Sequence, residues 1–150
     1  MKQRLQDDLT AAIRSRDEVR SATIRLALSA IKTEEVAGKE ARELSESEII
    51  QVLSREAKKR KEAAEVYRGA GAEDRAKAEE AELAVLSEYL PQALSTAEVE
   101  QIVKTAIAEA AASGLTGMKA MGAVMKTVQP QTLGRADGAE VAALVKQLLS

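Results

Sequence analysis

The chain contains no cysteine, no histidine, no phenylalanine and no tryptophan. Without cysteine it can form no disulfide, thiolate nucleophile or sulfur-ligated metal site, and without histidine it lacks the commonest general base and transition-metal ligand. Its acidic residues do not follow the loop-borne spacing of a divalent cation site. We therefore expect no catalytic residue, no cofactor and no metal, and these absences argue against an enzyme.

Tyr67 and Tyr89 are the only aromatic residues, although the composition as a whole is 45% hydrophobic and 31% charged. That balance is typical of a globular protein, and its core must be built from aliphatic side chains. Two aromatic rings are too few for a platform on which nucleic-acid bases stack.

Long apolar runs are also missing, and the first residues are polar where a secretory signal would be apolar. We therefore expect a cytoplasmic protein without membrane association. The formal net charge of −2 gives no strong overall field, so binding to nucleic acid would require a local basic patch.

Good helix formers dominate the whole chain, and no alternating β-branched run indicates a strand. The periodicity predicts an all-α protein with seven helices. Pro91 disfavours helical geometry at the residue before it. We place a boundary there, between an N-terminal four-helix domain at 1–91 and a small C-terminal three-helix domain at 92–150.

Three helix starts carry capping signals. Two are capping boxes, in which a serine and a glutamate three residues later satisfy each other's backbone amides, and each is flanked by an apolar staple pair. Asp137 is expected to cap the last helix, and the sixth helix is expected to end before Pro130. The capping boxes are Ser45 with Glu48 and Ser95 with Glu98, and their staples are Leu44 with Ile49 and Leu94 with Val99.

The apolar positions of the shorter helices predict which side chains are buried. Each set recurs at helical spacing and is expected to face a core. The methionines of the sixth helix are interpreted as packing residues, with an adaptable protein-binding surface as the alternative. The sets are Leu5, Leu9, Ala12 and Ile13; Met118, Met121 and Met125; and Val141, Leu144, Val145 and Leu148.

Five segments together resemble the GatB/YqeY family, and the resemblance covers nearly the whole chain. The most specific are Glu88-Tyr89-Leu90-Pro91-Gln92, Met121-Gly122-Ala123-Val124-Met125 and Gly134-Arg135-Ala136-Asp137-Gly138. The segments Arg25-Leu26-Ala27-Leu28-Ser29-Ala30-Ile31-Lys32 and Lys58-Lys59-Arg60-Lys61-Glu62 are similar to parts of the family's N-terminal domain.

This resemblance implies a two-domain helical protein whose C-terminal part is similar to the tail of GatB, a subunit of a glutamine-dependent tRNA amidotransferase. In that enzyme the tail helps hold the tRNA and the chemistry lies elsewhere. The implied partners are tRNA and an aminoacyl-tRNA synthetase or amidotransferase. The chain departs from the family where lysines are common after Pro130, and where an arginine is expected at Ala72.

The most coherent basic cluster lies at the start and along one face of the second helix. Arg25 and Lys32 share that face, and three further arginines precede them in the chain. Such a cluster could follow a phosphate backbone, although nearby carboxylates also allow a merely solvated surface. The candidate residues are Arg14, Arg16, Arg20, Arg25 and Lys32.

Arg135 is the sixth candidate for binding nucleic acid. It precedes a helix N-terminus, where free amides and the helix dipole favour a phosphate. The alternative is that Asp137, with Glu140 three residues later, already caps those amides.

The run from Lys58 to Lys61 looks like a nucleic-acid patch, but the acidic fourth helix returns alongside it. We favour structural pairing, with Arg60 directed into the interface between the two helices. The acidic residues considered as partners are Glu79, Glu80, Glu82 and Glu88.

Three functional hypotheses follow. The first is a non-catalytic accessory module that binds tRNA, with no DNA partner. The second is a protein-interaction module without RNA contact. The third is the carbon–nitrogen ligase activity with glutamine as amido-N-donor that the family resemblance implies, for which the sequence shows no activated nucleophile.

Overall fold

The computed structural model describes residues 1–150, and all of its regular secondary structure is helical. The predicted all-α fold class with seven α-helices is therefore confirmed. None of the helices is both long and apolar enough to cross a membrane. The helices are α1 Lys2–Ser15, α2 Glu18–Glu35, α3 Glu46–Gly69, α4 Glu73–Ser87, α5 Thr96–Ala112, α6 Met121–Thr132 and α7 Gly138–Leu149, and a 3₁₀ turn, Gly117–Ala120, precedes α6.

The chain divides into two compact units, Met1–Pro91 and Gln92–Ser150. The first contains α1 to α4 and the second contains α5 to α7. Each unit has its own aliphatic core, because the buried side chains of its helices contact one another. Fully buried members include Leu5, Ile24, Ile31 and Leu53 in the first unit, and Val103, Val124, Val128 and Val145 in the second.

In the first unit, α1 packs along α2 and α3 packs along α4. The reversal between α3 and α4 occurs at Gly71, whose φ of 73° is a left-handed conformation that suits glycine. The amide of Ala72 donates to the carbonyl of Tyr67 at 2.8 Å, which closes the turn. This hairpin brings the acidic fourth helix beside the basic third helix.

Both predicted capping boxes are confirmed. The Ser45 amide donates to the Glu48 carboxylate at 2.8 Å, and the Glu48 amide donates to the Ser45 hydroxyl at 3.3 Å. The box of Ser95 and Glu98 has corresponding distances of 2.7 and 3.2 Å. Their staple residues pack in the two cores. The entrances to α3 and α5 are thus defined by contacts three residues apart.

The prediction that the sixth helix ends before Pro130 is wrong, because α6 continues to Thr132 with the proline inside it. Proline removes only its own amide, which in the last turn of a helix interrupts a single hydrogen bond. The next turn is still closed, since the Leu133 amide donates to the Gln129 carbonyl at 3.0 Å. The Thr132 hydroxyl adds a bond to the Val128 carbonyl at 3.1 Å.

Three predicted apolar positions are exposed rather than buried. Ile13 is 49% exposed, Met118 is 51% exposed and Leu148 is 36% exposed. Met118 lies in the 3₁₀ turn, whose three-residue period rotates it away from the face that the α-helical spacing predicts. In α7, Leu149 packs against the core one turn after Val145, which leaves Leu148 outside.

Candidate nucleic-acid interface

The guanidinium of Arg20 is engaged by a carboxylate within the first unit. Its two terminal nitrogens donate to the two carboxylate oxygens of Glu88 at 3.2 and 2.7 Å. This side-chain hydrogen bonding is the main cause that lowers the pKa of Glu88, and it also raises the pKa of Arg20. Because a bidentate pair fixes both groups, Arg20 joins α2 to the end of α4.

The neighbouring Tyr89 extends the same connection to α1. Its hydroxyl donates to Asp8 at 2.5 Å, and the Arg4 guanidinium lies 4.7 Å from the centroid of its ring. Burial, together with the hydrogen bond to Asp8, raises the pKa of Tyr89 to about 12. Glu88 and Tyr89 of the Tyr-Leu-Pro segment therefore hold the first, second and fourth helices together.

Lys32 lies beside a buried carboxylate. The side chain of Glu35 is 5% exposed, and its oxygens lie 2.6 Å from the Lys2 ammonium and 3.9 Å from the Lys32 ammonium. The hydrogen bond from Lys2 is the largest cause that lowers the pKa of Glu35. The side chain of Lys32 remains 71% exposed, so it compensates Glu35 while facing solvent.

Arg14, Arg16 and Arg25 are exposed and make no ion pair. Arg14 lies in the last turn of α1, and Arg16 follows it in a left-handed conformation with φ of 57°. Arg25 lies on the exposed face of α2, which also carries Glu18. Of the six residues predicted to bind nucleic acid, these three keep guanidinium groups that no carboxylate occupies.

Arg135 is held within the second unit. Its Nε donates to the Gln92 carbonyl at 2.9 Å, and its own carbonyl accepts the Leu94 amide at 2.8 Å. The Asp137 carboxylate caps α7 by accepting from the Ala139 amide at 2.8 Å. The predicted cap is thus confirmed, and Arg135 fastens the segment that leads into α5.

The structure brings only one residue of the run from Lys58 to Lys61 into contact with the fourth helix. Arg60 is buried, and it donates to Glu82 at 3.1 Å and to Glu56 at 2.8 Å, as predicted for an interface residue. The expected pairing of the whole run with α4 is wrong. The neighbouring lysines point away from the hairpin, so that Lys59 pairs with Glu56 in its own helix.

Two exposed lysines in the second unit were not predicted as site residues. Lys119 precedes α6 and Lys126 lies within it, and neither makes an ion pair. The signal in the sequence was an absence, because no aspartate or glutamate occurs between Ala110 and Ala136. No group of acidic residues in the structure is arranged to hold a metal ion.

The comparison with protein families agrees with this architecture. A family model described as Yqey-like protein matches residues 2–149, which is nearly the full length and includes both compact units. Among curated protein sequences, no significant match was found. Because the match extends across the helices of both units rather than one motif, the chain belongs to the Yqey-like family.

Proposed function

We propose that this protein is a non-catalytic accessory module that binds tRNA through its phosphate groups. The observation that carries the proposal is the set of unoccupied guanidinium groups of Arg14, Arg16 and Arg25 in the first two helices. Other arginines of the first unit, such as Arg20 and Arg60, already bind carboxylates.

Free guanidinium groups are suited to phosphate because their planar donors match its oxygens. Since the net charge is −2, attraction to RNA must come from this local group rather than from the overall field. Tyr89 is buried and engaged by Asp8, so base stacking has little to use. Recognition by shape and phosphate contacts is the mode that such a surface supports.

The family adds support of a different kind. The C-terminal part resembles the tail of GatB, which helps hold tRNA in the glutamine-dependent amidotransferase. By that relation, an aminoacyl-tRNA synthetase or an amidotransferase is the proposed protein partner, in the cytoplasm. We also propose that the units 1–91 and 92–150 are separate domains, since each has its own core.

A protein-interaction module without RNA contact is the second candidate. Val19 and Leu26 are each 48% exposed and lie seven residues apart on α2. Leu26 also borders an open groove of about 470 Å³ between α2 and α3, which Ala30 and Val52 line. For glutamine-dependent ligation, by contrast, the chain offers no cysteine or histidine.

The experiment that tests the proposed function is the titration of purified protein into fluorescently labelled tRNA, followed by anisotropy at low and physiological salt. Duplex DNA serves as the control for binding by charge alone. The test variant replaces Arg14, Arg16 and Arg25 by glutamine. A matched control variant replaces three other exposed, unpaired cations by glutamine, namely Lys39, Lys61 and Lys77.

The triple arginine variant is expected to bind tRNA at least about tenfold more weakly, with a salt dependence reduced by about one unit per lost phosphate contact. The lysine control should change affinity less than about twofold. Unchanged binding by the arginine variant would refute the assignment of these residues. No binding by the wild-type protein at low salt would favour the protein-interaction module, and ammonia release from glutamine would overturn the non-catalytic interpretation.

A further inference from the structure

The charges of the second unit are segregated along the chain. Between Ala110 and Ala136 there is no acidic residue, although three basic residues occur there. The carboxylates of this unit lie instead in α5 and at the start of α7. The three basic residues are Lys119, Lys126 and Arg135, and the five carboxylates are Glu98, Glu100, Glu109, Asp137 and Glu140. A unit that is neutral overall therefore has a positive segment centred on α6.

The two lysines of this segment share the outer face of α6. Lys119 and Lys126 are both exposed, whereas Val124 and Val128 on the opposite side are fully buried. Seven residues correspond to about two helical turns, so the two lysine backbones lie about 10 Å apart on one side. Neither ammonium group is compensated by a carboxylate.

Gly122 lies between them on the same exposed face. Its φ is not in the left-handed region, and a Cβ atom added there would meet no heavy atom within 4 Å. Neither backbone conformation nor internal packing therefore requires glycine at this position, although glycine weakens a helix by about 0.5–1 kcal/mol relative to alanine. What glycine does provide is a bare stretch of backbone between two cations, to which another molecule can come close.

We propose that Lys119, Gly122 and Lys126 form a second RNA-binding surface, on which two phosphates of one strand contact the lysines while the strand passes over the glycine. The surface rests on the proposed function, because it takes the same class of ligand as the arginines of the first unit. Lysine ammonium groups bind phosphate as point charges, and a flat helix face admits a sugar–phosphate backbone. Each unit then contributes its own phosphate contacts to one RNA molecule.

Two variants test this surface by different physical means. Lys119 and Lys126 are replaced by glutamine together, with Lys104→Gln and Lys146→Gln together as the control of equal charge in α5 and α7. Gly122→Leu places a side chain between the lysines without a clash inside the protein. Ala108→Leu, at an exposed position of α5, is its control. All four proteins are titrated into labelled tRNA, and their thermal unfolding is followed by circular dichroism.

The double lysine variant is expected to bind about five- to tenfold more weakly, with the salt slope reduced by about two. Gly122→Leu should weaken binding several-fold while the melting temperature stays the same or rises. Both controls should bind tRNA like the wild-type protein.

The outcomes separate this surface from the proposed function. If the first-unit arginine variant loses affinity while the lysine and glycine variants do not, the α6 surface is wrong and the proposed function stands. The reverse pattern would support the α6 surface and move the binding site to the second unit. A wild-type protein that binds no tRNA, or that binds duplex DNA equally well, overturns both.

Discussion

The hydroxyl of Tyr89 donates a hydrogen bond to the Asp8 carboxylate at 2.5 Å, across 81 positions of sequence. The ring is 2% exposed, so the bond forms where water hardly competes. Tyr89→Phe keeps the ring in the core and removes only this donor. We expect a loss of about 1–2 kcal/mol in the free energy of unfolding, the usual range for a hydrogen bond to a charged group that is partly solvated.

The matched control is Tyr67→Phe. The hydroxyl of Tyr67 makes no hydrogen bond, and its ring is only partly buried beneath Arg75. Urea unfolding followed by circular dichroism should show almost no change for this variant. Equal effects of the two substitutions would mean that the Asp8 contact does not stabilise the first unit.

Arg60 is expected to be the costliest charged residue to remove. Its side chain is 11% exposed and binds both Glu56 and Glu82. Arg60→Ala leaves two carboxylates without this cation in the α3–α4 interface, which we expect to cost about 2–3 kcal/mol. Removal of the exposed partner in the Arg55–Glu34 pair should cost less than about 1 kcal/mol.

A triple variant distinguishes charge compensation from packing at the same place. Arg60→Met together with Glu56→Gln and Glu82→Gln removes the charges as a set. Because no buried charge is then left unpaired, urea unfolding should show most of the lost stability restored. A triple variant as unstable as Arg60→Ala would contradict this explanation.

Arg16 separates stability from the proposed binding. Its φ of 57° is left-handed, which an L-residue adopts only at a cost, and its side chain has no ion pair. Arg16→Gly is expected to stabilise the protein by about 1 kcal/mol and at the same time weaken tRNA binding. Arg14→Gly, inside the last turn of α1, should weaken binding but also destabilise the helix by about 0.5–1 kcal/mol. Thermal unfolding and the tRNA titration measure the two effects.

Glu48 gives a pH dependence with a defined sign. Hydrogen bonds from Arg42 and Ser45 lower its pKa from 4.5 to about 2. The folded state therefore holds the carboxylate charged more strongly than the unfolded state does. Its contribution to stability is complete above about pH 4.5 and is lost as the pH falls toward about 2.

Glu48→Gln tests this dependence. The variant should have a lower urea midpoint than the wild type at pH 7, and the difference should disappear by about pH 2. Glu43→Gln is the control, because Glu43 is exposed and makes no ion pair. A difference that is independent of pH would show that the charge of Glu48 does not stabilise the start of α3.

The proposed division into two domains predicts that fragments 1–91 and 92–150 fold separately. Each fragment retains one complete aliphatic core, and the second also retains the bond from Arg135 to Gln92. Circular dichroism should show helical spectra and cooperative thermal unfolding for both, with the shorter fragment less stable because a small unit buries less surface. A fragment without cooperative unfolding would contradict the division.

Local chemistry determined much of the fold. Ser45 with Glu48 and Ser95 with Glu98 define helix starts through contacts three residues apart, so any reader of the sequence can find them. The absence of phenylalanine and tryptophan likewise required an aliphatic core. The end of α6 was mispredicted for the converse reason, because a general preference of proline was outweighed by the hydrogen bonds of one particular turn.

Only the tertiary structure decided which charges are free. Arg20 and Arg25 lie on one helix and look equivalent in sequence, yet Arg20 meets Glu88, which is 68 positions away, and Arg25 meets no carboxylate. The choice depends on which helices pack side by side, and an ion pair needs its atoms within a few ångströms. The sequence by itself determined that the protein is helical, aliphatic in its core and without cysteine or histidine, whereas the packing of the helices determined which cations remain open to a phosphate.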